Sequence, residues 1–145
     1  MQVGVTSISA SSRAAGGAET PTVVDPRLAP LAKKLQALFA YTRYAFLGKA
    51  QTEAPPGRAA VIQLPERFTL EVQPEQPRPD SEGRLELMVT LFRESGRERD
   101  SRGREDEVGE VVLRTRIRLE NGGTVLLGGP PISGGVLILA LTARI

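Results

Sequence analysis

The chain has 145 residues, a length that fits one domain with one buried core, and its 25% charged and 40% hydrophobic residues are those of an ordinary globular protein. His and Cys are both missing, which excludes thiolate nucleophiles, disulfides, the usual N/S zinc sites and the one side chain that titrates near neutrality unaided. The 19 Lys and Arg face 17 Asp and Glu, so the formal charge is only +2 and carries no nucleic-acid footprint.

No stretch of about 18 uninterrupted apolar residues occurs, so no transmembrane helix is encoded. Residues 1–15 lack the basic start and apolar centre of a signal peptide, which makes the cytoplasm the expected location. The cell envelope or the exterior is the alternative where a leader has been removed, since a chain without Cys suits either redox compartment.

Residues 2–8 alternate, with Val3, Val5 and Ser7 on one face and Gly4, Thr6 and Ile8 on the other, and read as a short strand. Residues 10–22 are rich in Ala, Ser and Gly without a hydrophobic period and read as a linker. The domain reading is therefore an N-terminal strand on a flexible linker over 1–24, followed by a single β-rich domain over 25–145. A strand on such a tether has the reach to add to a neighbour's sheet edge, which makes Val3, Val5 and Ile8 candidate partner-binding residues.

Asp25-Pro26 is a helix start, because the carboxylate can accept from first-turn amides and Pro is tolerated at the first helical position. Leu28, Leu31, Leu35, Leu38 and Phe39 follow at spacings of three and four, giving an amphipathic helix over about 26–40. Pro30 removes one backbone bond from a helix begun at Pro26, so the regular helix is expected to start nearer Pro30.

From Tyr41 onward the period moves toward two, and Tyr44, Phe46 and Leu47 read as a strand that carries through Thr52. After Pro55-Pro56-Gly57 come strands at 59–64 and 68–72, the second with Phe68, Leu70 and Val72 on one face. Leu85, Leu87, Val89 and Leu91 mark the next strand as buried on one side. Residues 93–107 are almost all Arg, Asp, Glu, Ser and Gly and read as a mobile charged hairpin loop.

The strand over 108–120 is expected to turn Val111, Leu113, Thr115, Ile117 and Leu119 inward and Arg114, Arg116 and Arg118 outward. Asn121-Gly122-Gly123 suits a tight hairpin back into 124–127, and Gly128 to Gly135 reads as a rigid turn. Residues 135–145 are apolar on both faces until Arg144, which places that strand inside the sheet or beneath the helix. The sum is an α+β fold, a mostly antiparallel β-sandwich or open barrel of about eight strands with one amphipathic helix packed on it. Its aliphatic strands supply a core without metal, disulfide or cofactor.

Few residue patterns carry chemistry. Arg114, Arg116 and Arg118 project over about 13 Å of strand and can hold an acidic partner, or pair across strands with Glu86 or Glu71. The Gly128–Gly135 segment lacks the Gly-Lys-Ser/Thr ending of a phosphate loop, and its two prolines remove amides. Glu105-Asp106-Glu107 lacks Ca²⁺-loop spacing. Tyr41 and Tyr44, beside Phe39 and Phe46, either plug one end of the core or offer a seat for a small apolar ligand. Glu71 and Glu86 are the carboxylates available on neighbouring strands for acid/base work.

Residues Arg116 to Ala143, above all Gly123-Thr124-Val125-Leu126-Leu127-Gly128-Gly129 followed by an apolar strand, resemble the closing β-hairpin of secretin outer-membrane channels, where a Gly-x-x-Val-x-x-Gly-Gly strand and turn lies in the β-barrel domain. The resemblance covers about a fifth of the chain, which is too short for the family's channel domain, so it implies neither secretion nor a pore. More loosely, the order Val-x-x-Ile-x-Ala-Ser, then Val-Asp-Pro-Arg-Leu, then a closing Gly-Gly strand pair is similar to small bacterial proteins associated with the cell envelope. The expected function is that of a non-enzymatic structural or assembly subunit that self-associates through its N-terminal strand. The alternative is a binding module that contacts an acidic partner through the arginine-lined strand.

Overall fold

The computed structural model describes residues 1–12, 23–75, 84–99 and 105–145, with side chains described outside 94–109. Among these residues the strands are β1 (Gln2–Ser11), β2 (Val23–Val24), β3 (Arg43–Glu53), β4 (Ala60–Leu64), β5 (Phe68–Pro74), β6 (Arg84–Arg99), β7 (Glu105–Glu120), β8 (Thr124–Ile132) and β9 (Gly135–Arg144). A 3₁₀ segment, Pro26–Leu31, runs into a short α-helix, α1 (Ala32–Leu38). One sheet has the order β2-β3-β1-β9-β8 and the other β4-β5-β6-β7, every pair being antiparallel except β2 with β3. The fold is the expected α+β sandwich, mostly antiparallel and not closed into a barrel.

Two cores follow from the alternation of the strands. Val3 and Val5 of β1, Leu137, Leu139 and Leu141 of β9, and the apolar faces of β5 and β6 meet between the sheets. Ile8, Ala10, Ile138 and Ala140 point the other way, where Leu28, Leu35 and Tyr44 cover them. The reading of β9 as apolar on both faces holds for this reason: it lies between β1 and β8, inside the sheet and under the helix. In the second sheet Phe68, Leu70, Val72, Leu85, Leu87, Val89 and Leu91 are buried on one side only, as their alternation requires.

The helix divides where Pro30 acts. The segment from Pro26 is wound as 3₁₀, Asp25 accepts from the Arg27 N–H at its start, and regular α-helix begins only at Ala32. It ends at Leu38 rather than near residue 40, because Phe39 adopts extended backbone (φ −130°, ψ 147°). The tighter winding and early stop take Leu38 off the apolar stripe: it is 64% exposed, and Phe39 packs into the helix-side core instead.

Four expectations are corrected. Residues 1–11 are not detached, since β1 bonds to β3 on one side and β9 on the other within its own chain, while linker residues 13–22 lie outside the described ones. The Asn121-Gly122 turn exists, with Gly122 at φ +82°, but it is a corner between sheets: β7 pairs with β6, and β8 with β9. The ladder of β6 and β7 continues beyond Arg93 to Arg99 opposite Glu105, so much of the expected 93–107 loop is paired strand. Residues 128–132 likewise continue β8, with a register shift between Gly128 and Pro131, and the turn shrinks to Ser133-Gly134. The glycines there serve close approach, because a Cβ on Gly129 would lie 2.9 Å from the Leu137 carbonyl oxygen.

Bulges explain the remaining departures from alternation. Leu91 pairs with Leu113 but Phe92 with Val111, so Val112 is an extra residue and the faces of β7 exchange there. Val111, expected inside, is 53% exposed as a result. In β3 the pairing steps from Gly48 with Ser7 to Phe46 with Ile8, leaving Leu47 extra; Phe46 packs toward the helix and Leu47 toward the other sheet. Leu139→Ala, at a fully buried site, is expected to lower stability by about 2–5 kcal/mol, whereas Val111→Ala changes it by no more than about 0.5 kcal/mol. Urea unfolding of both variants checks this, and a large loss for Val111→Ala would contradict the bulge.

Candidate functional site

Val3, Val5 and Ile8 are at most 1% exposed. Each sits in two ladders: Val3 pairs with Thr52 and Ala143, Val5 with Ala50 and Leu141, and Ile8 with Phe46 and Ile138. A second chain reaches them only by replacing strands of this one.

Arg114, Arg116 and Arg118 are exposed on the outer side of β7, the last strand of its sheet. Arg118 donates to Glu86 Oε1 through Nη2 at 2.7 Å and Nε at 3.1 Å, and the two residues are direct cross-strand partners. Arg116 Nε lies 3.0 Å from Glu75 Oε1, and Arg114 Nε donates to Thr90 Oγ1 at 3.4 Å. Pairing with Glu86 is as the sequence suggested; Glu75, not Glu71, takes Arg116, because it follows β5 and its amide is anchored on the Glu86 carbonyl at 2.9 Å. The stripe is thus largely matched by carboxylates of its own chain. Glu71 stands opposite Thr90, four residues from Glu86 along β6, so these two carboxylates are about 13 Å apart and do not converge.

The tyrosines close the helix-side core. Tyr44 is 1% exposed; its hydroxyl accepts from the Tyr41 N–H at 3.3 Å and lies 3.2 Å from the Leu35 and 3.1 Å from the Phe39 carbonyl oxygens, which share its one proton. Burial pushes its pKa up, so the phenol stays neutral. The Tyr41 ring meets it edge-on at 6.4 Å. The side chains of Glu105, Asp106 and Glu107 lie outside the described ones.

A surface that the sequence reading missed lies on the outer face of the five-stranded sheet, beyond the end of the helix. Two open cavities of about 200 and 220 Å³ meet over Gly4, Gln51 and Thr142. One extends past Gln2 to Gly122 and Arg144, the other past Thr6 to Lys49 and Arg27. Among the described residues, neither is lined by an Asp or Glu. Gly4 is needed beneath Thr142, because a Cβ there would come within 2.8 Å of the Thr142 Oγ1. The signal lay in the alternation itself: Gln2, Gly4 and Thr6 form the polar half of a face whose apolar half begins at Ile8.

Arg27 forms one wall of this trough through an unusual set of contacts. Its Nε and Nη2 donate to the two oxygens of Asp25 at 3.2 and 2.9 Å, and its guanidinium lies 4.5 Å above the Phe46 ring. Hydrogen bonds from the Arg27 side chain, then from its backbone N–H, hold the Asp25 carboxyl at a pKa of about 2 against its ordinary 3.8, and the same pairing raises that of Arg27. No protein-family model, curated protein or solved structure matches the chain.

Because Asp25 has a depressed folded-state pKa, its stabilising contribution is complete above the unfolded value of 3.8 and disappears as pH falls through about 2. Asp25→Asn is therefore expected to be less stable than the parent at pH 6, with the difference shrinking between pH 4 and pH 2. Thermal melts of the two proteins across that range check the sign; a gap that stays constant to pH 2 would contradict the pairing.

Proposed function

We propose that the protein is a non-enzymatic structural or assembly subunit that joins a second copy of itself along the free edge of β7. The observation that carries this reading is topological. Among the described residues, β7 (Glu105–Glu120) ends its sheet and pairs on one side only. An edge strand leaves alternate N–H and C=O groups without a sheet partner, and strand addition satisfies them between chains. Val111, 53% exposed midway along that edge, gives such a contact an apolar centre. The arginines and the bulge at Val112 restrict which strands can pair there, which favours a specific partner over indiscriminate aggregation.

Self-association through the N-terminal strand takes the form of an exchange on this reading. β1 would have to leave both β3 and β9 and be replaced by the same strand of another copy, which costs two ladders before any is regained. Addition at β7 breaks none. The alternative reading, an accessory module holding an acidic partner on Arg114, Arg116 and Arg118, is supported by their exposure and weakened by the carboxylates already on two of them.

Sedimentation of the purified chain over a range of concentrations is expected to show a monomer–dimer equilibrium, shifted to monomer by Val111→Lys with no loss of thermal stability. A monomer throughout would reject self-association. The two routes are separable because the chain has no Cys and Thr6 pairs with Lys49. Oxidation of a Thr6→Cys, Lys49→Cys variant gives only an intrachain disulfide if β7 is the contact, and covalently linked chains if β1 is exchanged.

A further inference from the structure

We infer that the trough on the outer face of the five-stranded sheet is a binding site for an acidic peptide segment in extended conformation. The inference does not rest on the β7 edge, which belongs to the other sheet. It rests on charge, spacing and shape. Lys49 stands beside Thr6 and Arg144 beside Gln2, on opposite flanks of β1, so the two cations are four residues apart along the strands and two strands apart across them, about 16 Å between their backbone positions. Among the described residues Lys49 has no carboxylate partner, and the side chain of Arg144 donates only to the Gln2 amide oxygen, at 3.4 Å. Arg27 is paired with Asp25, and Glu53, which stands opposite Gln2 at the end of this face, with the N-terminal amine at 3.7 Å, so Lys49 and Arg144 supply the unmatched positive charge of cavities that no acid lines among the described residues.

The spacing selects the ligand. Cations whose backbone positions lie about 16 Å apart are poorly placed to share one phosphate, and the interior strands beneath them have spent their amides on ladders, so no backbone cradle for a small anion is offered. The same separation matches carboxylates about five residues apart on an extended chain. Between the cations, the Gln51 amide supplies donors and an acceptor for the peptide groups of such a segment, and the Thr142 hydroxyl, which donates to the Gly4 carbonyl, can accept from them. A single-stranded nucleic acid fits less well, because the one aromatic ring that lines the trough among the described residues, Phe46, already has its face under the Arg27 guanidinium.

The test is fluorescence polarisation with labelled hexaglutamate at low salt, with inorganic pyrophosphate and unlabelled hexathymidylate as competitors. The peptide is expected to bind, to weaken at least tenfold in the Lys49→Ala, Arg144→Ala double variant, and to change less than twofold when Arg116 and Arg118 are replaced by Ala. Both cations of the double variant are exposed, so circular dichroism and the melting temperature should stay as in the parent. Absence of binding, indifference to Lys49 and Arg144, or dependence on the β7 arginines would overturn the inference. So would displacement by pyrophosphate or hexathymidylate at charge concentrations equal to that of the peptide, which would make the site a general anion or nucleic-acid surface.

Discussion

The two hydrogen-bonded ladders that β1 makes, to β3 on one side and β9 on the other, are the constraint on which the rest of the molecule depends. They join the first residues of the chain to the last, and they put one strand in both cores at once. Its odd residues Val3 and Val5 close the space between the sheets, while Ile8 and Ala10 support the helix. Pairings between residues so distant in sequence form only after the intervening chain has been ordered, so this sheet is the part of the fold with the greatest entropic cost of closure.

The trough is a consequence of the same geometry. The strands are about ten residues long, but the helical cover is short: Pro30 keeps its first part in the 3₁₀ form, and Phe39 ends it. It seals only the end of the outer face where Ile8, Ala10, Ile138 and Ala140 lie. Beyond that end the face meets water, and the residues there are accordingly Gly4, Lys49, Gln51 and Thr142. A longer helix would have required an apolar stripe in their place. Asp25, through Arg27, fixes the boundary between the covered and the open halves.

Most of the fold was legible because its strands bury one face or both, and burial of that kind writes a period into the sequence. β5, β6 and β9 are clear examples, and so is the helix start at Asp25-Pro26. Bulges hid what remained: an extra residue at Val112 or Leu47 exchanges faces without any change in composition. The Asn121-Gly122 turn was recognisable from its conformational demand, yet that demand is the same for a hairpin and for a corner between sheets, and only the tertiary packing decides between them. The reverse occurs between β4 and β5, where Glu66 and Arg67 both take φ of 63°, a conformation that their residue types do not announce. Of the candidate sites, the arginine stripe was legible from alternation and its neutralisation by Glu86 was anticipated. The trough was not, because it is assembled from Gly, Thr, Gln and Lys on three strands that come together only when β1 enters the sheet.

Native-state hydrogen exchange of the β1 amides addresses the central claim most directly. If β1 is bonded within its own chain on both sides, the amides of Val5, Ser7 and Ile8 exchange only through global unfolding, with free energies equal to that from denaturant titration and independent of protein concentration. Exchange of these amides at rates typical of a free segment, while those of β5 and β6 stay protected, would contradict it.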